Sequence, residues 1–204
     1  MLQNIYTVGV CGFAGTGKTT FLNLLQNLSP NIIIFDLDHL VFKSRIKRKD
    51  EIITKIGHWY FNDDGFLTEK TLIELAKAPI GTLTEIHKII SEDVLYGIYK
   101  MISTSNLTEI NHLALGYTMI PAFNFWNNID YKVLITTDFD KRKEKLKQRA
   151  TLSYGEQLQV VDNANNECYN DAKFNRIISH TYNHDYLKSE AEKLLREIII
   201  KELK

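Results

Sequence analysis

The chain has 204 residues with 25 basic and 25 acidic side chains, so its length fits one α/β domain with insertions and its balanced charge gives no overall field that would attract nucleic acid or an anionic membrane. No apolar run approaches the ~18 residues of a membrane span and no leader-like segment opens the sequence, so we expect a single cytoplasmic domain over residues 1–204. Two cysteines, Cys11 and Cys168, give neither a disulfide framework nor the spacing of a metal site.

The first predicted strand, Tyr6–Val10, leads into a complete Walker A pattern, GFAGTGKT, which ends at Thr19. Its glycines let successive backbone N–H groups point into one concavity, while Lys18 would reach the β- and γ-phosphates of ATP and the Thr19 hydroxyl would ligate Mg²⁺. A helix predicted over Thr20–Asn27 directs its positive N-terminal end at the same anion. The alternative is a glycine-rich turn with an incidental surface lysine. The predicted nucleotide-binding residues are Gly12, Ala14, Gly15, Thr16, Gly17, Lys18, Thr19 and Thr20.

The second predicted strand, Asn31–Phe35, is followed by two aspartates. Alternation would place Asp36 and Asp38 on the same side if the strand continued that far. Phosphoryl transfer to a hydroxyl needs a carboxylate that orients the nucleophile and accepts its proton, and it needs Mg²⁺ held by oxygen ligands. Two aspartates can divide these tasks. The alternative is that Asp36 caps a helix beginning near His39 and that Asp38 is an exposed acid in its first turn.

A long segment with helical spacing, residues 40–107, separates the second strand from the third and is broken near residues 62–65 and 79–81. This is too long for a plain crossover. We predict a helical insertion over about residues 40–110 that builds a pocket for an acceptor substrate. The alternative is a helical crossover that only covers the sheet.

Three further strands are predicted over Leu113–Ile120, Tyr131–Thr136 and Phe174–Ser179. Because helical patterns lie between the strands, we predict a three-layer α/β fold with a five-stranded, mostly parallel sheet. Ligands of such sheets lie at the carboxyl ends of the strands, so residues that follow the strands, including Pro121, should line one crevice.

Aromatic residues follow Pro121, and they would either line a substrate pocket or belong to the core. They are Phe123, Phe125 and Trp126.

A basic segment follows the fourth strand, from a plausible helix N-cap at Asp138 to Arg149. We predict a lid over about residues 141–172, in which Arg149 folds over the transferring phosphate. The lysines of this segment are more typical of a solvated helix face. A surface helix over Asp185–Lys204 ends the sequence.

The order of these landmarks resembles dephospho-CoA kinase over nearly the full chain. The landmarks are the loop Gly12 to Thr19, Asp36-Leu37-Asp38, Ile56-Gly57 with Asp64-Gly65-Phe66-Leu67, Ile86-His87 before Ile89, Ile120-Pro121, and Gln148-Arg149. The resemblance implies a P-loop kinase that transfers the γ-phosphate of ATP, with Mg²⁺, to the ribose 3′-hydroxyl of dephospho-CoA. This reaction is the last step of coenzyme A biosynthesis.

The same resemblance implies roles for individual residues. Asp38 would orient the acceptor hydroxyl, Lys18 would act on the phosphates, and Arg149 would be the lid arginine. Asp36, His87 and Pro121 would bind the acceptor.

The predicted lid departs from the family pattern, because residues 160–172 contain no arginine where the family usually supplies another. Either Lys147, Lys173 or Arg176 substitutes for it, or the protein is a slow enzyme. The alternative functions are another P-loop kinase with a nucleoside or nucleotide acceptor, and a nucleotide-binding protein that has lost transfer. In each case we expect a monomer or weak homo-oligomer with a small-molecule ligand.

Overall fold

Short apolar runs rich in β-branched residues form a central parallel sheet in the computed structural model, which describes residues 5–57, 78–79, 81–104, 112–148 and 154–202. The strand order is β2-β3-β1-β4-β5, and every pairing is parallel. The strands are β1 (Tyr6–Cys11), β2 (Ile32–Asp36), β3 (His112–Gly116), β4 (Tyr131–Thr137) and β5 (Arg176–His180). The predicted five-stranded parallel sheet is therefore confirmed.

Helices cover both faces of this sheet, as its parallel crossovers require. They are α1 (Lys18–Leu28), α2 (Asp38–Lys47), α3 (Lys49–Ile56), α4 (Thr82–Thr104), α5 (Phe139–Gln148), α6 (Tyr154–Asn170) and α7 (His184–Glu202). No described helix is both long and apolar enough to cross a membrane.

Alternation along the strands divides the core into two clusters. On one face, Val8 and Val10 of β1 belong to the cluster that includes residues of α1 and α7, such as Phe21 and Leu194. On the other face, Cys11 of β1 belongs to a cluster with residues of α2, α3 and α4. These two clusters on opposite sides of the sheet give the three-layer α/β fold.

Strand register brings the ends of β1, β2 and β3 to one level. Gly116, the last residue of β3, is paired with Val10 of β1 and with Asp36 of β2. Its carbonyl also accepts a hydrogen bond from the Leu37 backbone N–H, at 3.0 Å. The segments that leave β1 and β2 therefore begin at the same edge of the sheet.

The third predicted strand ends earlier than expected, whereas the second, predicted over Asn31–Phe35, forms over Ile32–Asp36. The third was predicted to continue to Ile120, but it ends at Gly116 and the chain then forms a 3-10 turn over Ile120–Ala122. Pro121 lacks the N–H that a strand ladder needs, so this buried apolar run continues as a turn. The second strand does not reach Asp38, which is instead the first residue of α2.

The aromatic residues after Pro121 belong to the core. Phe123, Phe125 and Trp126 are buried in the cluster that packs beneath α4, and the Phe123 and Phe125 rings stack with centroids 4.9 Å apart. The interpretation of these side chains as a pocket lining is therefore wrong.

Candidate active site

The loop between β1 and α1 has the tight conformation expected of the Walker A pattern. Gly15 and Gly17 adopt φ angles of 78° and 92°, which L side chains rarely adopt. A Cβ atom at Gly12 would lie 2.3 Å from the Ile135 carbonyl oxygen of β4, closer than real contacts allow. Glycine is thus required at all three positions, and the α1 N-terminus follows directly at Lys18.

Lys18 lies across this loop. Its Nζ donates hydrogen bonds to the carbonyls of Gly12, at 2.8 Å, and Phe13, at 3.0 Å. Burial lowers the pKa of Lys18 from its ordinary 10.5 to about 8, although the negative charges of Asp38 and Asp36 oppose this shift. The ammonium group is therefore held inside the loop at the cost of part of its hydration.

The two aspartates lie at the junction of β2 and α2. Asp36 ends the strand, and its Oδ1 accepts a hydrogen bond from the Asp38 backbone N–H at 3.0 Å. This bond forms an Asx turn before α2, whose N-cap residue is Leu37 without a side-chain cap, and Asp38 is the first residue of that helix. Both carboxylates act on the charge of Lys18, so this turn is compatible with a place beside the loop.

Asp38 has a pKa above its ordinary range. The residue as a whole is exposed, but the surrounding protein still desolvates its carboxyl enough to raise the pKa, and the neighbouring charge of Asp36 raises it further. The positive charges of Lys18 and Arg45 oppose these effects. A carboxylate with a raised pKa accepts a proton more readily than an ordinary aspartate.

Hard oxygen donors of the kind that Mg²⁺ prefers surround the loop. The Thr19 hydroxyl is in the first turn of α1 and is exposed, and the carboxylates of Asp36 and Asp38 lie within electrostatic reach of Lys18. In the part of the chain that the structure describes, no group of three or more His, Cys, Asp or Glu side chains could hold a metal alone. This donor set fits a magnesium ion that keeps several waters and shares phosphate oxygens.

His87, predicted to bind the acceptor, is fully buried on α4. Its Nδ1 lies 2.6 Å from the Leu83 carbonyl, and its Nε2 lies 2.9 Å from the Tyr117 hydroxyl and 3.3 Å from Arg45 Nη2. Burial, with the nearby Arg45 charge, lowers the pKa of His87 to about 3. A neutral ring that donates from Nδ1 and accepts at Nε2 satisfies these contacts, and its role in acceptor binding stays a prediction.

The remaining predicted site residues lie in separate parts of the chain. Pro121 is half-buried in the 3-10 turn after β3. Arg149 lies outside the described residues.

Arg176 is the first residue of β5, so it lies at the amino ends of the parallel strands, whereas the Walker loop follows the carboxyl end of β1. Its side chain forms ion pairs with Glu190 and Glu197. Arg176 is therefore engaged away from the loop and does not replace a lid arginine, whereas replacement by Lys147 or Lys173 stays a prediction.

A different arginine, Arg142 on α5, contacts the Walker loop. Its Nη1 donates to the Ala14 carbonyl at 3.1 Å, and its guanidinium forms a buried ion pair with Asp162 of α6. The sequence does contain a signal for it, because Leu146 is the one apolar residue between Lys141 and Gln148. Arg142 lies four residues before Leu146 and therefore shares its inward helix face.

Cys11, the last residue of β1, lies beneath the loop. Its thiol donates to the Val133 carbonyl with an Sγ to oxygen distance of 3.3 Å. Burial raises the pKa of this thiol well above its ordinary value.

Comparisons with known proteins relate this arrangement to P-loop kinases. The chain is 26% identical over 162 residues to a dephospho-CoA kinase of Dehalococcoides mccartyi, covering 76% of this chain and 81% of that protein. No protein-family model matches. The sequence resemblance to dephospho-CoA kinase is therefore confirmed by a distant relative.

Solved structures share the fold at lower identity. A Thermus thermophilus protein, TT1252, superposes with a TM-score of 0.68 at 18% identity, over 95% of this chain and 98% of that one. Shikimate kinase from Bacteroides thetaiotaomicron gives 0.51 at 14%, over 95% and 98%. Dephospho-CoA kinase from Campylobacter jejuni gives 0.51 at 16%, over 94% and 96%. The chain has the fold of P-loop kinases.

Proposed function

We propose that this chain is a P-loop kinase that transfers the γ-phosphate of ATP to the ribose 3′-hydroxyl of dephospho-CoA. The observation that carries the proposal is that Lys18, in the loop after β1, and Asp38, at the start of the helix after β2, lie at the same carboxyl edge of the sheet, close enough for their charges to interact. A cation for the phosphates and a carboxylate for an acceptor alcohol are the two groups that this chemistry requires of the protein. Similarity to a dephospho-CoA kinase supports the choice of acceptor.

In the proposed reaction, loop amides and Lys18 hold the β- and γ-phosphates while Asp38 accepts a hydrogen bond from the acceptor hydroxyl. The hydroxyl oxygen forms a bond to the γ-phosphorus, and the bond from that phosphorus to the β–γ bridging oxygen breaks and leaves ADP. The hydroxyl proton passes to Asp38. Mg²⁺ bound by Thr19 would neutralise phosphate charge. Arg149 would add a positive charge from the lid, and Asp36 would help to position Asp38 by accepting a hydrogen bond from its backbone N–H.

The acceptor is tested by ADP release in a coupled assay. We expect turnover that depends on dephospho-CoA, with the product phosphorylated at the 3′-oxygen, and little turnover with a panel of nucleosides and nucleoside monophosphates. Turnover of one of those nucleotides without any of dephospho-CoA would refute the acceptor while retaining kinase chemistry. ATP binding without phosphate transfer to any acceptor would refute the enzymatic proposal.

The base is tested in the same assay with Asp38→Asn. Loss of a positioned general base lowers kcat by on the order of 10²- to 10⁴-fold, whereas the ATP dissociation constant should stay near that of the unmodified protein. Asp50→Asn is the matched control, since Asp50 is also an exposed acid in the first turn of a helix. An unchanged kcat in Asp38→Asn would show that another group accepts the proton.

A further inference from the structure

Five consecutive carbonyl oxygens of the Walker loop, from Gly12 to Thr16, accept hydrogen bonds from side chains. Lys18 takes the first two. The next three are taken by side chains far away in sequence: Arg142 bonds the Ala14 oxygen, Tyr182 the Gly15 oxygen, and His180 the Thr16 oxygen. These three donors come from α5 and from the end of β5, on two sides of the loop.

Fixing a carbonyl also fixes the N–H of the next residue. The peptide group is planar and trans in the described chain, so its C=O and N–H point in opposite directions. Bonds to the oxygens of Ala14, Gly15 and Thr16 therefore set the planes of three successive peptides. The N–H groups of Gly15 and Gly17 are directed away from these side chains, and that of Thr16 closes a turn onto the Phe13 carbonyl at 3.3 Å.

The β5 side of this arrangement depends on an unusual backbone. Tyr182 has a φ angle of 61°, the one positive φ among the described residues other than glycine. An aromatic residue rarely adopts this region, so surrounding contacts must hold it there. Two contacts do so: its N–H donates to His180 Nδ1 at 3.0 Å, and its hydroxyl donates to the Gly15 oxygen at 2.7 Å.

His180 links the same turn to the loop. Because Nδ1 accepts from the Tyr182 N–H, the proton of a neutral ring lies on Nε2, which donates to the Thr16 oxygen at 2.7 Å. The ring is 5% exposed and packs closely on the loop, since a Cβ atom at Gly17 would lie 3.2 Å from its Nε2. His180 therefore uses both nitrogens to join the Tyr182 turn to the loop.

The α5 side is fixed by a buried ion pair. Arg142 is 3% exposed, and its guanidinium contacts both carboxylate oxygens of Asp162 as well as the Ala14 oxygen. The same group lies over the rings of Phe13 and Phe139, at 5.2 and 5.6 Å from their centroids. A desolvated charge with this many partners is held in one geometry, so it fixes the Ala14 peptide firmly.

We infer that Arg142, His180 and Tyr182 are positioning residues that orient the phosphate loop for a triphosphate without touching the reacting atoms. The inference rests on the proposed function only in that the loop binds a nucleoside triphosphate. Part of the affinity for phosphate then comes from side chains that lie 128 to 167 positions away in the sequence from the loop carbonyls that they contact.

Tyr182→Phe gives the sharpest test, because it removes one hydroxyl and keeps the ring. Loss of one hydrogen bond of typical strength corresponds to about 5- to 10-fold in affinity, so calorimetry should give dissociation constants for ATP and for inorganic tripolyphosphate that are higher by that factor. The KM for dephospho-CoA should be unchanged, and the melting temperature should fall by only about 2–4 °C, as expected for the loss of one hydrogen bond in a domain of this size. Tyr96→Phe, which removes an exposed tyrosine hydroxyl on α4, is the control. Unchanged binding of both ligands by Tyr182→Phe would overturn the inference.

His180 provides a rescue test in the same binding assay. His180→Ala should weaken tripolyphosphate binding at least as much as Tyr182→Phe, and His180→Gln should recover much of the loss because its amide can still donate to the Thr16 oxygen. Equal affinity in the alanine and glutamine variants would contradict the assigned bond. If the unmodified chain binds ATP and tripolyphosphate but phosphorylates no dephospho-CoA, the proposed function fails while this inference stands. If it binds neither ligand, both are overturned.

Discussion

Burial of the Lys18 ammonium determines how much positive charge the phosphate loop offers to an incoming triphosphate. Its pKa of about 8 in the free protein means that a part of the molecules lose this charge under mildly alkaline conditions. Ordinary lysines stay charged to a much higher pH, with a pKa near 10.4. The site therefore combines a strong interaction with phosphate and a sensitivity to pH that a solvated lysine would not have.

We expect ATP affinity to fall as the pH rises through about 8. Only protonated Lys18 attracts phosphate, so the dissociation constant should increase by up to about tenfold for each pH unit above the free-state pKa. Calorimetric titrations across this range measure the effect. Lys18→Arg is the control, since its guanidinium stays charged and its profile should remain flat. A flat profile in the unmodified protein would contradict the shifted pKa.

The sequence carries a local pattern for the phosphate loop itself, but it does not mark the side chains that contact this loop from distant positions. The residues from Gly12 to Thr19 could be proposed as a phosphate loop because such a loop is encoded in a contiguous segment. Tyr182 contacts the loop across 167 positions, and no local pattern marks it. The burial of His87 was equally hidden, since a single histidine in an apolar helix pattern does not reveal which groups surround it.

The contact between helix α1 and strand β3 holds the phosphate loop beside β2. Gly116 at the end of β3 leaves no room for a side chain: a Cβ atom there would lie 2.3 Å from Leu22 Cδ1 of α1. The same glycine pairs with Asp36 in the sheet. The spacing of the helix that follows the loop and the strand that carries the aspartates therefore depends on one missing methyl group.

Gly116→Ala should lower the free energy of unfolding by about 1–3 kcal/mol, because overpacking forces Leu22 or α1 to shift. Leu22→Ala alone should cost about 2–5 kcal/mol through the cavity that it leaves. The double variant should lose less than the sum, since each change relieves the other. Urea denaturation of all four proteins measures this coupling. Strict additivity would show that Gly116 and Leu22 do not compete for space.

Element boundaries were predicted less well than element types. The run over residues 113–120 is continuously apolar, and periodicity alone does not distinguish a buried strand from a strand followed by a buried turn. The helix after the second strand begins at Asp38, whose backbone N–H donates to the Asp36 carboxylate, whereas the sequence left open whether this segment continues the strand or begins a helix. The first difference arises where tertiary packing determines the backbone, and the second involves a local hydrogen bond between residues two positions apart.

For the molecule as a whole, the strand order could not be derived from the sequence, because each pairing joins segments separated by a crossover. The class of fold could be derived, since alternating strands and helices lead to a parallel sheet with two covered faces. Several polar side chains are buried along with the two core clusters. One of them is His87, which is fully buried and has a strongly lowered pKa.

This burial makes the stability of the fold depend on pH. The pKa of His87 is about 3 in the folded protein and about 6.5 in an unfolded chain. The stability that depends on a neutral His87 is fully present above the pKa of the unfolded chain. As the pH falls below that pKa, this histidine binds a proton in the unfolded state but stays neutral in the folded state. The free energy of unfolding should therefore fall by about 1.4 kcal/mol for each pH unit between these values.

Urea denaturation of the unmodified protein and of His87→Gln at several pH values below 6.5 measures this dependence. We expect a shallower pH dependence in His87→Gln, even though the variant is less stable at neutral pH. His184→Gln, at an exposed position that begins α7, is the control and should keep the original slope. Equal slopes in all three proteins would show that His87 is protonated in the folded state.

The burial of Cys11 has a consequence for oxidative chemistry. Peroxides and electrophiles attack the thiolate rather than the thiol, and a raised pKa keeps this sulfur protonated while the Val133 carbonyl holds its hydrogen. Its position at the base of the phosphate loop would make any adduct there sterically disruptive. The fold thus shields the sulfur closest to its candidate active site, so that redox damage would require the strand beneath the loop to open first.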